Sequence, residues 1–205
     1  MMTRFLSLLT WVLIGTLLVT LSGCGSSPSS RFYLMNPMSG SAAEGKPSAS
    51  DPCVSIGIGP IEIPDYLYQL KIAIRMTPNE IKFAEFDRWA EPLKDNLTRV
   101  FAQNLSSLVC TEEINFFPWR GGIPMDYRVE MKIIRFDGNP GGQVVLEAWW
   151  RLLSGDGKTM LQSKRSSFSE PVGGGDYKSL VLAHSQALGA LSRDIAEAIK
   201  TSSNK

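Results

Sequence analysis

The apolar residues of this chain switch period twice, from the two of a strand to the 3.6 of a helix, and that switch decides the fold class. From Cys53 the spacing is that of strands. Val54, Ile56 and Ile58 share one parity, Gly59-Pro60 intervenes, and Ile61 and Ile63 continue on the other, which predicts a strand bent or bulged at the Gly-Pro. Pro64-Asp65-Tyr66-Leu67 turns the chain. Leu70, Ile72, Ile74 and Met76 then alternate with polar residues, Thr77-Pro78-Asn79 turns, and Ile81 and Phe83 begin the return strand of a hairpin. At Trp89-Ala90-Glu91-Pro92-Leu93 the period becomes helical. Pro92 suits a first turn, where its missing N–H is no loss, and Glu91 suits the positive end of the dipole. Leu93, Leu97, Val100, Phe101, Leu105 and Leu108 form one stripe up to about Val109. Strands follow at 114–119, 127–136, 143–153 and 159–169, the last three joined into a meander by Asp137-Gly138-Asn139-Pro140-Gly141-Gly142 and Gly155-Asp156-Gly157. A second helix runs from an Asp176 N-cap to about Lys200, with Tyr177, Leu180, Val181, His184, Leu188, Leu191, Ile195 and Ile199 as its stripe. The expected fold is α/β: a single-domain sandwich of a mainly antiparallel sheet with two long helices packed on one face.

Residues 1–23 read as an address rather than as part of that body. Arg4 is the one charge ahead of residues 5–21, an apolar run broken only by Ser, Thr and Gly. A run of about 17 residues is the lower limit for a bilayer-spanning helix, so a retained transmembrane anchor is the competing reading. Leu21-Ser22-Gly23-Cys24 favours the signal, because an aliphatic residue, two small ones and a cysteine are the order of a bacterial lipobox. That order implies cleavage after Gly23, a diacylglycerol on the Cys24 thiol and acylation of the new amine, the several chains that stable anchoring requires. Gly25 stands where an Asp would suggest retention in the inner membrane, so a Gram-negative host would sort the chain to the outer membrane, facing the periplasm. Residues 24–52 are then the lipidated cysteine, a Ser/Pro/Gly-rich tether and a mobile loop, with a short strand near 32–35. Residues 53–205 form the folded domain.

Lipidation of Cys24 leaves Cys53 and Cys110, an even pair in a compartment that permits disulfides. A bridge between them would remove about 4 kcal/mol of unfolded-state entropy. The alternative is two separate buried thiols that act as small hydrophobes.

Charge and composition then remove whole classes of function. The chain has 21 Lys+Arg and 20 Asp+Glu, with 43% apolar residues, and loss of Arg4 balances the charges. No basic surplus is left for a phosphate backbone, which excludes nucleic acid as a partner. The single histidine, His184, removes multi-histidine metal sites and the usual general base. It lies on a helical stripe, where a hydrogen-bonded core role outweighs a catalytic one. Gly173-Gly174-Gly175-Asp176-Tyr177-Lys178-Ser179 ends like a phosphate loop, but Tyr177 stands where a Gly must precede the Lys and Val172 where the first Gly belongs. Gly57-Ile58-Gly59 lacks the third glycine of a dinucleotide site and meets Pro60 instead. Glu112-Glu113 falls in a loop after the first helix and reads as a solvated turn ahead of an acid/base pair. No catalytic set, metal site or cofactor is expected.

One strand carries more apolar surface than a one-sided sheet needs. In 143–153, Val144, Leu146, Ala148, Trp150 and Leu152 occupy one face, yet Val145, Trp149 and Leu153 occupy the other. That second face points to self-association or a partner surface, or else to cover by a loop such as 36–52 or 118–126.

The lipobox, the early aromatic strand Phe32-Tyr33-Leu34, the Pro64-Asp65-Tyr66-Leu67 turn, Trp89-Ala90-Glu91-Pro92-Leu93 opening a leucine-rich helix, and a Trp-bearing strand after a Gly-rich turn occur here in the order that resembles the PqiC/YmbA family. These are the ABC-type transport auxiliary lipoproteins. The resemblance spans the mature chain from Cys24 to the last helix; the Ser/Pro/Gly loop and the Cys53/Cys110 pair depart from it. It implies a non-enzymatic lipoprotein holding the outer-membrane end of a system that moves lipids or other hydrophobic molecules between two membranes. The implied partners are an MCE-domain periplasmic protein, its ABC transporter and the membrane through the lipid anchor; the second apolar face of 143–153 adds further copies of the chain in a homo-oligomer. Candidate docking residues are Val145, Trp149 and Leu153 and the Tyr66/Leu67 turn. Two other readings stay open: a structural lipoprotein assisting outer-membrane protein or cell-wall assembly, and an envelope hydrolase using Glu112, Glu113 or His184.

Overall fold

A computed structural model describes residues 28–38, 47, 52–119 and 122–203. The expected signal segment, the Gly23 cleavage position and Cys24 lie outside the described residues. In chain order the elements are β1 (Arg31–Tyr33), β2 (Val54–Glu62), a 3-10 turn (Asp65–Leu67), β3 (Lys71–Thr77), β4 (Glu80–Trp89), α1 (Leu93–Leu108), β5 (Thr111–Phe116), β6 (Tyr127–Gly138), β7 (Gln143–Ser154), β8 (Met160–Pro171) and α2 (Tyr177–Ser203).

The eight strands form one sheet that branches at β6. One edge of β6 pairs along its length with β7, and β7 with β8, giving the antiparallel meander expected from the two Gly-rich turns. Its other edge is shared: β2 pairs in parallel with the first half, and β3 joins in parallel at Gly138. From β3 the sheet continues antiparallel to β4 and then parallel to β1; from β2 it continues parallel to β5. The long ladders are antiparallel; β2 is parallel to both of its neighbours, and the other parallel pairings join β1 to β4 and β3 to β6.

The bend in β2 has a local cause. Gly59 adopts φ +115°, a conformation that suits glycine, ahead of a cis peptide to Pro60, and the register with β6 shifts between Ile58 and Ile61. The shift exchanges the parity of the strand, so Val54, Ile56, Ile58, Ile61 and Ile63 all reach the same core.

Both helices lie side by side on one face of the sheet, α1 against β2 and α2 against β6, β7 and β8. Pro92 is the N-cap of α1, and its carbonyl accepts the N–H groups of Asp95 and Asn96. Asp176 caps α2, accepting the Ser179 N–H at 2.7 Å. Leu97, Val100, Phe101 and Leu105 of α1 and Leu180, Leu188, Leu191 and Ile195 of α2 are fully buried. Each contributes roughly 1.5–3 kcal/mol relative to exposure.

Two sequence readings shift. Glu112 and Glu113 lie on β5 rather than in a loop, because parallel pairing with β2 starts at Thr111 and skips Glu112 as a bulge before resuming at Glu113. Both side chains are exposed. Asp137, read as part of a turn, is the fully buried penultimate residue of β6.

Candidate docking surface

The sheet face away from the helices is built from cross-strand charges. Lys132 pairs with Glu62 at 3.3 Å, Arg151 with Glu130 at 2.7 Å and Arg165 with Glu147 at 2.9 Å. Alternation along β6, β7 and β8 puts these residues outward while Val129, Met131, Ile133, Leu146, Ala148 and Trp150 point to the helices. Trp149 stands in the middle of the charges, in register with Lys132 on one side and Arg165 on the other, and is 48% exposed. Beside it lies a cavity of about 370 Å³, bordered by Pro60, Glu62, Glu130, Lys132, Arg151 and Ser163. Exposed ion pairs add little stability, but they fix the positions of charges around an aromatic anchor, and such patterns select partners.

At the other end of this face the charges are buried. The Asp137 carboxylate accepts two hydrogen bonds from Arg75, at 2.7 and 2.8 Å, one from Arg135 at 2.9 Å and one from the Tyr66 hydroxyl at 2.7 Å. Burial alone would raise the Asp137 carboxyl, but the bonds from Arg75, Tyr66 and Arg135 outweigh it and hold the group below the usual carboxylate range. Burial and the bond to Asp137 push the Tyr66 phenol up to about 12.

The five candidate docking residues therefore separate. Trp149 is exposed and Leu153 half-buried. Val145 is 6% exposed and in register with Asp137, at the end of the strand where the ion cluster lies; most of the 36–52 loop lies outside the described residues. Leu67 is buried in the main core, and Tyr66 is half-buried with its hydroxyl committed to Asp137. Val145 and Leu67 have almost no surface for contact with a partner, and Tyr66 keeps only part of its own. Trp119 and Met125 cover a different strand: a Cβ on Gly57 would stand 3.0 Å from the Trp119 indole and 2.7 Å from Met125 Sδ.

Cys53 and Cys110 sit side by side where β2 and β5 begin, with their sulfur atoms at bonding distance and Cα atoms 4.4 Å apart. His184 is enclosed between Trp89 and Phe136, with ring centroids at 5.5 and 4.8 Å, and its Nδ1 meets the Leu180 carbonyl at 2.8 Å. Burial lowers it to about 4, so the ring is neutral near pH 7. Among the described residues, no group of three or more His, Cys, Asp or Glu could hold a metal ion, and no helix is long and apolar enough to cross a membrane.

Beside its apolar stripe α1 carries two fully buried asparagines. Asn96 Oδ1 accepts the Met35 N–H at 2.8 Å and Asn104 Oδ1 accepts the Met38 N–H at 2.9 Å, while Ser185 of α2 accepts the Asn36 N–H at 3.2 Å. Residues 35–38 are thereby laid between the two helices, with Met35 buried. Upstream, Arg31 and Tyr33 both bond Asp87 of β4, with Arg31 bidentate at 2.9 Å and Tyr33 at 2.7 Å. The only signal in the sequence was polar residues at helical positions flanking a leucine stripe.

The fold recurs in solved structures. A Xanthomonas campestris protein of the family model DUF330 shares 17% identity over 85% of this chain and 100% of its own, with a TM-score of 0.67. An uncharacterized protein shares 19% identity over 84% of this chain and 99% of its own, with a TM-score of 0.66. No curated protein sequence matches. The family model described as the ABC-type transport auxiliary lipoprotein component matches residues 33–196, from β1 to the last turns of α2. The chain belongs to the family of ABC-type transport auxiliary lipoproteins, the PqiC/YmbA-like group.

Proposed function

We propose that this chain is the outer-membrane lipoprotein of an MCE-type ABC transport system, which moves lipids or other hydrophobic molecules between the inner and outer membranes, and that it acts by docking and not by catalysis. Family membership supports association with an ABC transporter. The Leu21-Ser22-Gly23-Cys24 motif supports acylation of Cys24, and Gly25 supports outer-membrane sorting with the domain facing the periplasm. The observation that carries the docking role is Trp149, a large exposed aromatic held between two paired cations on a face without a core of its own.

In this reading the anchor removes the search through the periplasm, and the sheet presents Trp149 to the MCE-domain protein or to another copy of the chain. The Cys53–Cys110 disulfide braces the parallel corner of the sheet in an oxidising compartment. Glu112, Glu113 and His184 perform no chemistry: the carboxylates stand exposed on an edge strand, and the histidine is sealed in the core. Intact-mass analysis should find a mature chain starting at an acylated Cys24, and Cys24→Ser should leave an unprocessed precursor. An uncleaved, unacylated chain in the wild type would overturn the anchoring, and turnover of peptidoglycan or lipid esters dependent on Glu112, Glu113 or His184 would overturn the docking role.

A further inference from the structure

We infer that the edge of the domain formed by β1 and the first turns of α2 lies directly on the phospholipid surface and dips Phe32, Leu34 and Leu182 into it. This rests on the proposed acylation of Cys24. Three large apolar side chains are exposed here: Phe32 at 62%, Leu34 at 40% and Leu182 at 59%. Leu34 and Leu182 border one groove of about 400 Å³ that also meets Tyr33, Lys178 and Val181. Neither leucine has a structural reason to be apolar, since both stand outside the core formed by the buried neighbours Met35 and Val181.

The occupant follows from chain length. From Arg31 onward the path is fixed: β1 is hydrogen-bonded to β4, Arg31 and Tyr33 bond Asp87, and residues 35–38 are held by Asn96, Ser185 and Asn104. Only seven residue steps separate Cys24 from Arg31. Fully extended they reach about 25 Å. A compact domain of this size has a radius of gyration of about 15 Å and thus a diameter of about 40 Å, so the tether is shorter than the body it holds. Orientations that put β1 on the side of the domain farthest from the bilayer are out of reach. The edge at which the tether enters is the one that bears the exposed Phe and two Leu, and interfacial binding scales with the apolar area buried. Trp149 lies four strands away across the sheet, about 19 Å, on the face turned from the helices. With the β1 edge on the lipid, Trp149 stands off it and is available to a protein.

The test uses the full mature lipoprotein in vesicles of phosphatidylethanolamine and phosphatidylglycerol, with a benzophenone amino acid at position 32, 182 or 160. Met160 is 60% exposed on the opposite sheet edge and serves as the distant site. Irradiation should give phospholipid adducts at 32 and 182, severalfold more than at 160. Equal yields at all three positions, or adducts to protein alone at 32 and 182, would overturn the inference. Intact mass on the same samples separates the two ideas: an acylated chain without lipid adducts sinks this contact and leaves the anchor standing, whereas an unacylated chain sinks both. Phe32→Glu with Leu182→Glu, exposed changes that spare the core, should lower the adduct yield of a benzophenone at position 34; an unchanged yield would also contradict the contact.

Discussion

Two aspartates in this fold are held by the same residue types with opposite degrees of enclosure. Asp137 receives Arg75 and the Tyr66 hydroxyl, and Asp87 receives Arg31 and the Tyr33 hydroxyl, with hydrogen bonds of 2.7–2.9 Å in both. Asp137 has no exposed side-chain surface, its Arg75 partner is 19% exposed, and Arg135 adds a second cation. Asp87 is nearly as buried, but Arg31 is 64% exposed. Attraction between charges weakens as solvent reaches them, so one set of groups makes an interior staple and the other a rim latch. The staple joins the 3-10 turn and β3 to β6, inside the domain. The latch joins β1 to β4, where the tether enters.

The largest effect should come from Asp137→Ala, which leaves two partly buried guanidinium groups and a half-buried phenol without their shared acceptor. A loss of about 3–5 kcal/mol is expected in urea melts. A loss like that of an exposed pair would erase the distinction between staple and latch. Reduction of the Cys53–Cys110 bond should cost about 2–4 kcal/mol, additive with Asp137→Ala because the two braces share no partner. Nonreducing peptide mapping should find the crosslink; free alkylatable thiols at both positions would remove it from the account.

Acid should separate His184 from Asp137. The folded histidine titrates at about 4 against 6.5 unfolded, so stability is complete above pH 6.5 and falls as pH drops toward 4, by about 3 kcal/mol. Asp137, held below its ordinary 3.8, contributes above that value and loses its contribution only at lower pH, as the folded carboxyl protonates. His184→Gln should flatten the upper window alone, which equilibrium unfolding at stepped pH would show. Asp87→Ala should lower Tm by only about 2–4 °C. Its mark should be local, with amide exchange accelerating in β1 and residues 35–38 while β6 and β7 stay protected. The smallest effect on stability belongs to Trp149→Glu, within about 0.5 kcal/mol, as for other surface changes. If copies associate through this face, sedimentation should show the wild type larger than a monomer and the variant dissociated, and an unchanged mass would withdraw self-association.

The same contrast explains what could be read without coordinates. The Gly59-Pro60 bend, the hairpin of β3 and β4, the Pro92 start of α1 and the Asp176 cap of α2 depend on neighbours a few residues apart, so turn chemistry and periodicity display them. Asp137 looks like a turn residue because Gly138-Asn139-Pro140-Gly141 follows it; its burial depends on Arg75, 62 residues away. Glu112-Glu113 became strand because β2 offered a parallel edge, and no local pattern announces that partner. Val145 and Trp149 have the same parity in β7, yet Val145, in register with Asp137, is buried and Trp149, in register with Lys132, is exposed. Asn96 and Asn104 interrupt no stripe, so their hold on the tether could not be foreseen from α1 alone.

The most direct test of the docking role is photocrosslinking in native envelopes from a benzophenone amino acid at position 149, followed by identification of the adducts. The account predicts an MCE-domain periplasmic protein among them, with adducts to a second copy where the chain self-associates. Recovery only of porin-like or cell-wall proteins would contradict it and favour a role in envelope assembly.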